Sequence, residues 1–359
     1  MNWNRRQALK ASALLAGSLL LWNSTAGEAL SAEAFGTVED IARYSGPDRE
    51  ERLLATAKQK GGLTLYTNAP APDNMALVSA FERKYGLKVN SWRAGSEEIT
   101  QRVVTEARAN RFVADAVLNN GPGLEALHRE GLLQAVASPY LDNLYPSAIP
   151  AHKEWAGFCF NVLLAAYNTN LVSKDELPKS YEDLRDPKWK GRLGIEADDS
   201  DWFAGVVQEL GEDKGIALFR DIAATNQLSV RKGHSLLMNL VSAGEVPLAL
   251  TVFVYTAEQT KKAGAPVDWA VIPPLVAMPN AIAVLKNAPN PAAGILFFDF
   301  MLNEAQKSVL PGLDYVVTDR RIPAPLDRDS IKMIDVNAIL DNGDKWYATY
   351  SEAIAGKSN

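Results

Sequence analysis

The chain is short of four things: it has one cysteine, three histidines, no basic stripe, and no apolar run long enough to span a membrane. Each shortage closes off a class of protein. With Cys159 alone no intrachain disulfide can form, so the fold must stand on its apolar core. Cys159 lies in the run Phe158-Cys159-Phe160-Asn161-Val162-Leu163-Leu164 and reads as a core thiol on a buried strand. His128, His152 and His234 are far apart and make no metal-binding spacing. The 37 basic and 43 acidic residues give a formal charge of −6. That balance argues against nucleic acid as a partner, because a phosphate backbone calls for a clustered cationic face. There is no internal repeat and no low-complexity tract.

Residues 1–34 read as a cleavable leader. Arg5-Arg6 precede an apolar run from Ala11 to Trp22, and Ala32-Glu33-Ala34 offers a small-x-small cleavage site before Phe35, with Ala26 as the alternative. The run is too short for a permanent anchor. Asn4-Arg5-Arg6-Gln7-Ala8-Leu9-Lys10 resembles the twin-arginine signal that exports folded proteins, which puts the mature chain in the periplasm. Cleavage removes three basic and two acidic residues and moves the formal charge from −6 to −7. The remaining ~325 residues are roughly two domains' worth of chain.

The mature chain alternates strand and helix. Residues 37–60 are helical with a break at Ser45-Gly46-Pro47. Leu63–Thr67 is a strand, then come a helix over Asp73–Tyr85, a strand over Leu87–Trp92, a helix over Glu97–Ala109 and a strand over Ala114–Leu118. This β-α-β-α-β order predicts a mostly parallel, doubly wound sheet. Gly121-x-Gly123-x-x-Ala126 nominally matches a dinucleotide fingerprint, but Pro122 removes an amide from the turn and Glu125 stands where pyrophosphate would lie. It reads instead as a glycine-rich turn beside a ligand. Leu193-Gly194-Ile195 is a further strand, entering a helix that runs to Leu210, and helices cover Lys214–Thr225 and His234–Ala243. Gly244–Gly264 reads as a buried strand, Val246–Tyr255, running into a helix capped by Thr256 and stopped at Gly264. Tyr255 then sits at the carboxyl edge of a sheet, where open α/β folds bind ligands.

The order of four segments resembles the type 2 periplasmic solute-binding proteins, in particular the ferric-ion cluster that serves ABC importers. The segments are Gly62–Thr67 with its helix, Ala114-Asp115-Ala116-Val117 with its glycine turn, Leu184–Leu193, and Gly244-Glu245 into Tyr255. Asp186-Pro187-Lys188-Trp189-Lys190-Gly191 is the most family-specific run, and the resemblance covers nearly all of the mature chain. It implies an α/β, two-lobed periplasmic binding protein fold with mostly parallel sheets and a hinge between lobes. Crossovers near Gly157 and Pro274 would divide the chain into an N-terminal lobe, 35–157 and 275–318, and a C-terminal lobe, 158–274 and 319–359. It further implies a monomer that clamps a small ligand and hands it to an inner-membrane ABC-importer permease, with no resident cofactor and Fe(III) as a candidate cargo.

The ferric members carry two adjacent tyrosines, a histidine in the first strand's loop and a carboxylate after the third strand. This chain has Val254-Tyr255, the loop Asn68-Ala69-Pro70-Ala71 without histidine, and Asn119-Asn120. The turn that holds a partner anion in those relatives is here Asp198-Asp199-Ser200-Asp201, whose carboxylates would repel one. The expected ligand contacts are therefore Tyr255 and Phe253 after one strand, Asp198, Asp199 and Asp201 after another, and Asn68 and Asn120 from the facing lobe. Tyr255 is the candidate metal ligand. One aspartate suffices to cap a helix, and the surplus points to a hard cation or an amine. Gly233-His234-Ser235 lacks the last glycine of a nucleophile elbow, so Ser235 reads as a helix cap, while Trp202 and Tyr66 read as core aromatics. No nucleophile, base and orienter occur together, so a receptor for ferric iron, a metal complex or a small amine is expected rather than an exported enzyme on the same frame.

Overall fold

The computed structural model describes residues 37–355, so the leader and its twin arginines lie outside the described residues. Two helices come first, α1 (Val38–Arg43) and α2 (Arg49–Lys60), separated as the Ser45-Gly46-Pro47 break requires. They lead into β1 (Leu63–Thr67), α3 (Ala71–Tyr85), β2 (Val89–Arg93), α4 (Ser96–Arg108), β3 (Ala116–Asn120), α5 (Gly121–Arg129) and β4 (Leu133–Gln134). The long strand β5 (Trp155–Asn168) comes after them, then β6 (Leu193–Glu196), α6 (Ser200–Leu210), α7 (Glu212–Asn226), β7 (Ser229–Arg231) and α8 (His234–Ala243). Next are β8 (Leu248–Phe253), α9 (Val254–Lys262), β9 (Val267–Ala270) and a second long strand, β10 (Val276–Leu285). The chain ends with α10 (Pro291–Phe300), which continues as a π-helix to Val309, two short strands β11 (Val316–Val317) and β12 (Lys332–Met333), and α11 (Val336–Ala355), kinked at Asn342.

Among the described residues the main hydrogen-bonded path runs β2-β1-β3-β10-β5-β8-β6-β7. The β-α units pair in parallel, β1 with β2 and β3, and β6 with β7 and β8. The long strands pair antiparallel: β10 with β3 and β5, and β5 with β8 and β9. β5 thus belongs to both groups, pairing with β10 through Val162 and with β8 from Leu163 onward. Two apolar cores flank the β1 group, one around Leu65, Phe81 and Phe297 and one around Tyr66, Leu124 and Trp155. Two others flank the β6 group, around Trp202, Phe203 and Phe219 and around Leu164, Val252 and Val254. Cys159 is fully buried on β5, and burial pushes its thiol pKa far up, as befits a core thiol.

Where β5 and β10 pair, Ala281 stands opposite Gly157 and the register shifts by one residue. A Cβ on Gly157 would come 2.8 Å from the Pro279 Cβ, so only glycine lets the two backbones pass this closely.

Two expectations shift at element ends. The third strand starts two residues later than Ala114, because Asp115 turns its buried carboxylate to accept the backbone N–H groups of Thr64 (2.8 Å) and Asn290 (2.6 Å). The strand after Gly244 ends at Phe253, and Val254 already begins α9, so Thr256 is no cap and Tyr255 stands in the helix's first turn. Gly264 does take the left-handed conformation expected of a helix stop, at φ +91°.

Candidate functional site

The parallel units aim their carboxyl ends at one place. β1 ends into Asn68, β3 ends at Asn120, β6 runs into Asp198, Asp199 and Asp201, and β8 ends at Phe253. All six of these residues line a single cavity of about 240 Å³. β5 adds Asn161 and Leu163, β10 adds Val276, Ala277 and Met278, and Ser96, Trp202 and Ile334 complete it. That volume is below the roughly 300–1,000 Å³ of sites for drug-sized ligands, so the space fits a small solute. A larger recess of about 690 Å³ elsewhere, between the α1 end and residues 133–142, holds none of the expected ligand contacts.

The acidic wall is made by the turn entering α6. Asp199 is the helix N-cap residue, yet its side chain makes no capping bond: Oδ1 is 3.0 Å from Nε2 of His234, and the buried Oδ2 has no partner. Asp198 is half exposed and pairs with Lys232 at 3.0 Å. Asp201 has neither ion pair nor hydrogen bond among the described residues, and its carboxyl pKa is pushed up to about 6, first by burial and then by the Asp199 charge beside it. Burial alone would lower the His234 imidazole. The hydrogen bond to Asp199 and the charges of Asp199, Glu196 and Asp198 outweigh it, so the pKa is raised toward the cationic form. Among the described residues no lysine or arginine lines the cavity.

The opposite wall is carboxamide and hydroxyl. Asn68 donates from Nδ2 to the Ser96 Oγ (3.1 Å) and the Asn280 Oδ1 (3.4 Å), and its Oδ1 is left without a partner. Asn120 caps α5, its Oδ1 accepting the Gly123 N–H at 2.9 Å. Gly123 is required there, since a Cβ would fall 2.4 Å from the Asn119 Nδ2. The glycine turn therefore serves to seat Asn119 and Asn120 beside the cavity.

Tyr255 is not among the lining residues. Its ring stacks between Phe253 (5.3 Å between centroids) and Tyr315 (4.5 Å), and its phenol pKa is driven far above the ordinary value by burial, with Cys159 and Asp73 adding to it. Trp202 is buried and yet touches the cavity, whereas Tyr66 is core, bonded to Glu106 at 2.8 Å and edge-on to Trp92. Ser235 caps nothing, because Gly233 is the N-cap residue of α8. Ser96 and Asn161 were missed by sequence reasoning. Ser96 could have been found as the first residue of a helix after a strand, while Asn161 lies in mid-strand and carries no such signal.

Two histidines far apart in sequence do meet. His128 and His152 stack at 3.6 Å, bonded to Glu154 (2.7 Å) and Glu125 (3.1 Å) respectively. Glu125, His128 and His152 bring one ligand atom each within 4.8 Å of one another, as do Glu196, Asp199 and His234. At the first cluster Nδ1 of His152 accepts the Glu154 backbone N–H, so its proton sits on Nε2 and is donated to Glu125. Both ring nitrogens of His152 are thereby engaged within the protein.

A cavity closed by the carboxyl ends of two α/β strand groups defines a solute-binding protein, and the fold is the type 2 periplasmic binding protein fold. Residues 76–310 match the family model described as bacterial extracellular solute-binding protein, and the chain belongs to that family. It is 24% identical to the iron uptake protein A1 of Synechocystis sp., over 75% of this chain and 79% of that one. It superposes on iron-bound HitA from Pseudomonas aeruginosa with a TM-score of 0.71 and 24% identity, covering 82% of this chain and 99% of the other. The periplasmic binding protein AfuA from Actinobacillus pleuropneumoniae, solved with fructose-6-phosphate bound, gives 0.69 and 24% over the same shares. The two solved structures share the fold while differing in what they hold.

Proposed function

We propose that this chain is a non-catalytic receptor in the periplasm that captures a small, positively charged solute in the 240 Å³ cavity and delivers it to an ABC-importer permease. The observation that carries this reading is the lining itself, with three aspartates on one wall, neutral carboxamides on the other and no basic side chain between them. An anionic cargo would be repelled at Asp201 and Asp199. The β1 group and the β6 group serve as the two lobes, hinged at crossovers near Gly157 and Pro274, and a ligand touching both favours closure. The twin-arginine leader supports export of the folded chain.

Ferric iron, free or as a complex, enters as a cargo through the iron proteins among the relatives, and an all-oxygen wall suits a hard cation. An organic amine is favoured by Phe253 and Trp202, aromatic faces beside the carboxylates. Native mass spectrometry of the protein taken from its own periplasm tests the receptor reading. A cation or metal of one fixed mass should come off on unfolding. Release of an anion, or turnover of esters or phosphates by the purified chain, would overturn it.

A further inference from the structure

Two of the three aspartates on the cavity wall have a basic partner and the third has none. Asp198 has Lys232 and Asp199 has His234. Glu196, behind them, spends both carboxylate oxygens on backbone N–H groups, those of Asp198 and Gly233. Among the described residues Asp201 alone faces the cavity without a counter-charge. Two further acceptors lack a donor, Oδ2 of Asp199, a residue 8% exposed, and Oδ1 of Asn68 on the opposite wall. A buried acceptor left unpaired costs about 1–3 kcal/mol, so the site is complete only when something supplies hydrogens to both walls.

We propose, resting on the receptor reading above, that the cargo is a small organic monocation bearing N–H donors, a protonated amine or guanidine, with its charge anchored on Asp201. A single positive charge neutralises the one unpaired carboxylate. Its N–H groups reach the free oxygen of Asp199, and a short apolar body lies against Phe253 and Trp202. A trivalent ion has no comparable seat. It needs several anionic ligands converging on one point, and in the convergent set Glu196, Asp199 and His234 all the carboxylate oxygens but one are already in hydrogen bonds.

Isothermal titration of the ligand-stripped mature protein with n-butylamine, n-butylguanidine, tetramethylammonium, 1-butanol, ferric nitrilotriacetate and fructose 6-phosphate tests this. The amine or the guanidine should bind, and tetramethylammonium and 1-butanol should bind about tenfold more weakly or not at all, since one lacks N–H donors and the other lacks charge. Asp201→Asn should weaken the amine or guanidine about tenfold or more, while Asp213→Asn, an exposed carboxylate on α7 outside the cavity, should change it less than about twofold. Thermal melting of both variants verifies that they fold. Binding of ferric nitrilotriacetate with no binding of either nitrogen cation would overturn the organic-cation proposal and leave the cationic receptor standing. Binding of fructose 6-phosphate alone would remove both. Amine binding that ignores Asp201→Asn would overturn the anchor.

Discussion

Asp201→Asn should stabilise the ligand-free protein, and the gain should depend on pH in one direction. In the fold the Asp201 carboxyl titrates near 6, against 3.8 for an ordinary aspartate, because burial and then Asp199 disfavour its charge. The folded state therefore holds this proton more tightly than the unfolded chain does. The stability tied to it is fully present below pH 3.8 and is lost as pH rises through 6. A shift of about two units corresponds to roughly 3 kcal/mol of penalty at neutral pH. Asparagine keeps the shape and removes the charge, so the melting temperature should rise by about 6 °C at pH 8, at roughly 2 °C per kcal/mol for a chain of this size. At pH 4 the two proteins should melt together. Scanning calorimetry across that range measures the difference, and Asp115, which also titrates near 6, cancels because both proteins carry it. A difference that stays flat with pH, or a variant less stable than the parent at pH 8, would refute the claim that Asp201 is an unpaired, partly buried charge.

Arg49 and Asp299 form a buried ion pair at 2.7 Å between α2 and α10, so Arg49→Ala, which strands the carboxylate, should cost about 3–5 kcal/mol in denaturant unfolding. Small-angle scattering with the native cargo should give a smaller radius of gyration than without it, and an unchanged radius at saturation would count against hinge closure. Replacing Arg5 and Arg6 together by lysine should block export, and normal periplasmic accumulation of that variant would remove the twin-arginine assignment.

The parallel units were legible because each is local. A β-branched run, a turn and an amphipathic helix lie within thirty residues, and β1 through α4 fall within two residues of their expected bounds. The frame that joins them was not. α10 is buried at every one of its ten positions, so it has no polar face and no period to read. β10 likewise is almost wholly apolar, and its antiparallel partners β3 and β5 are far away in sequence. The acidic wall was visible as a surplus of aspartates after a strand, but which of them is paired was not, since Lys232 and His234 arrive from the far side of α7 and β7. The meeting of His128 with His152 is of the same kind. Val252-Phe253-Val254-Tyr255 are strand formers by propensity, and tertiary packing overrode them by turning the chain at Phe253 (φ −65°, ψ 135°) into α9.

That turn decides what Tyr255 does, and Tyr255→Phe tests it. Tyr255 is the third ring in a row of four, with His234 4.3 Å from Phe253, Phe253 5.3 Å from Tyr255, and Tyr255 4.5 Å from Tyr315, whose hydroxyl donates to Asp73 at 2.6 Å. The row runs from α8 beside the cavity to the first turn of α3, and so ties the β6 group to the β1 group through ring faces. Phenylalanine preserves every one of those faces and removes only the hydroxyl, which is worth about 0.5–1.5 kcal/mol if its hydrogen bond is lost. Tyr255→Phe should therefore bind the native cargo within about twofold of the parent, and neither protein should develop a phenolate charge-transfer band with ferric nitrilotriacetate. Tyr255→Ala removes the ring and should cost up to about 3 kcal/mol of stability, less than a fully buried aromatic because this one is half-buried. A phenolate that served as ligand would reverse the pattern. The parent would show a charge-transfer band with iron, Tyr255→Phe would abolish both band and binding while leaving stability unchanged, and the cargo site would then have to include the row of rings as well as the aspartate wall.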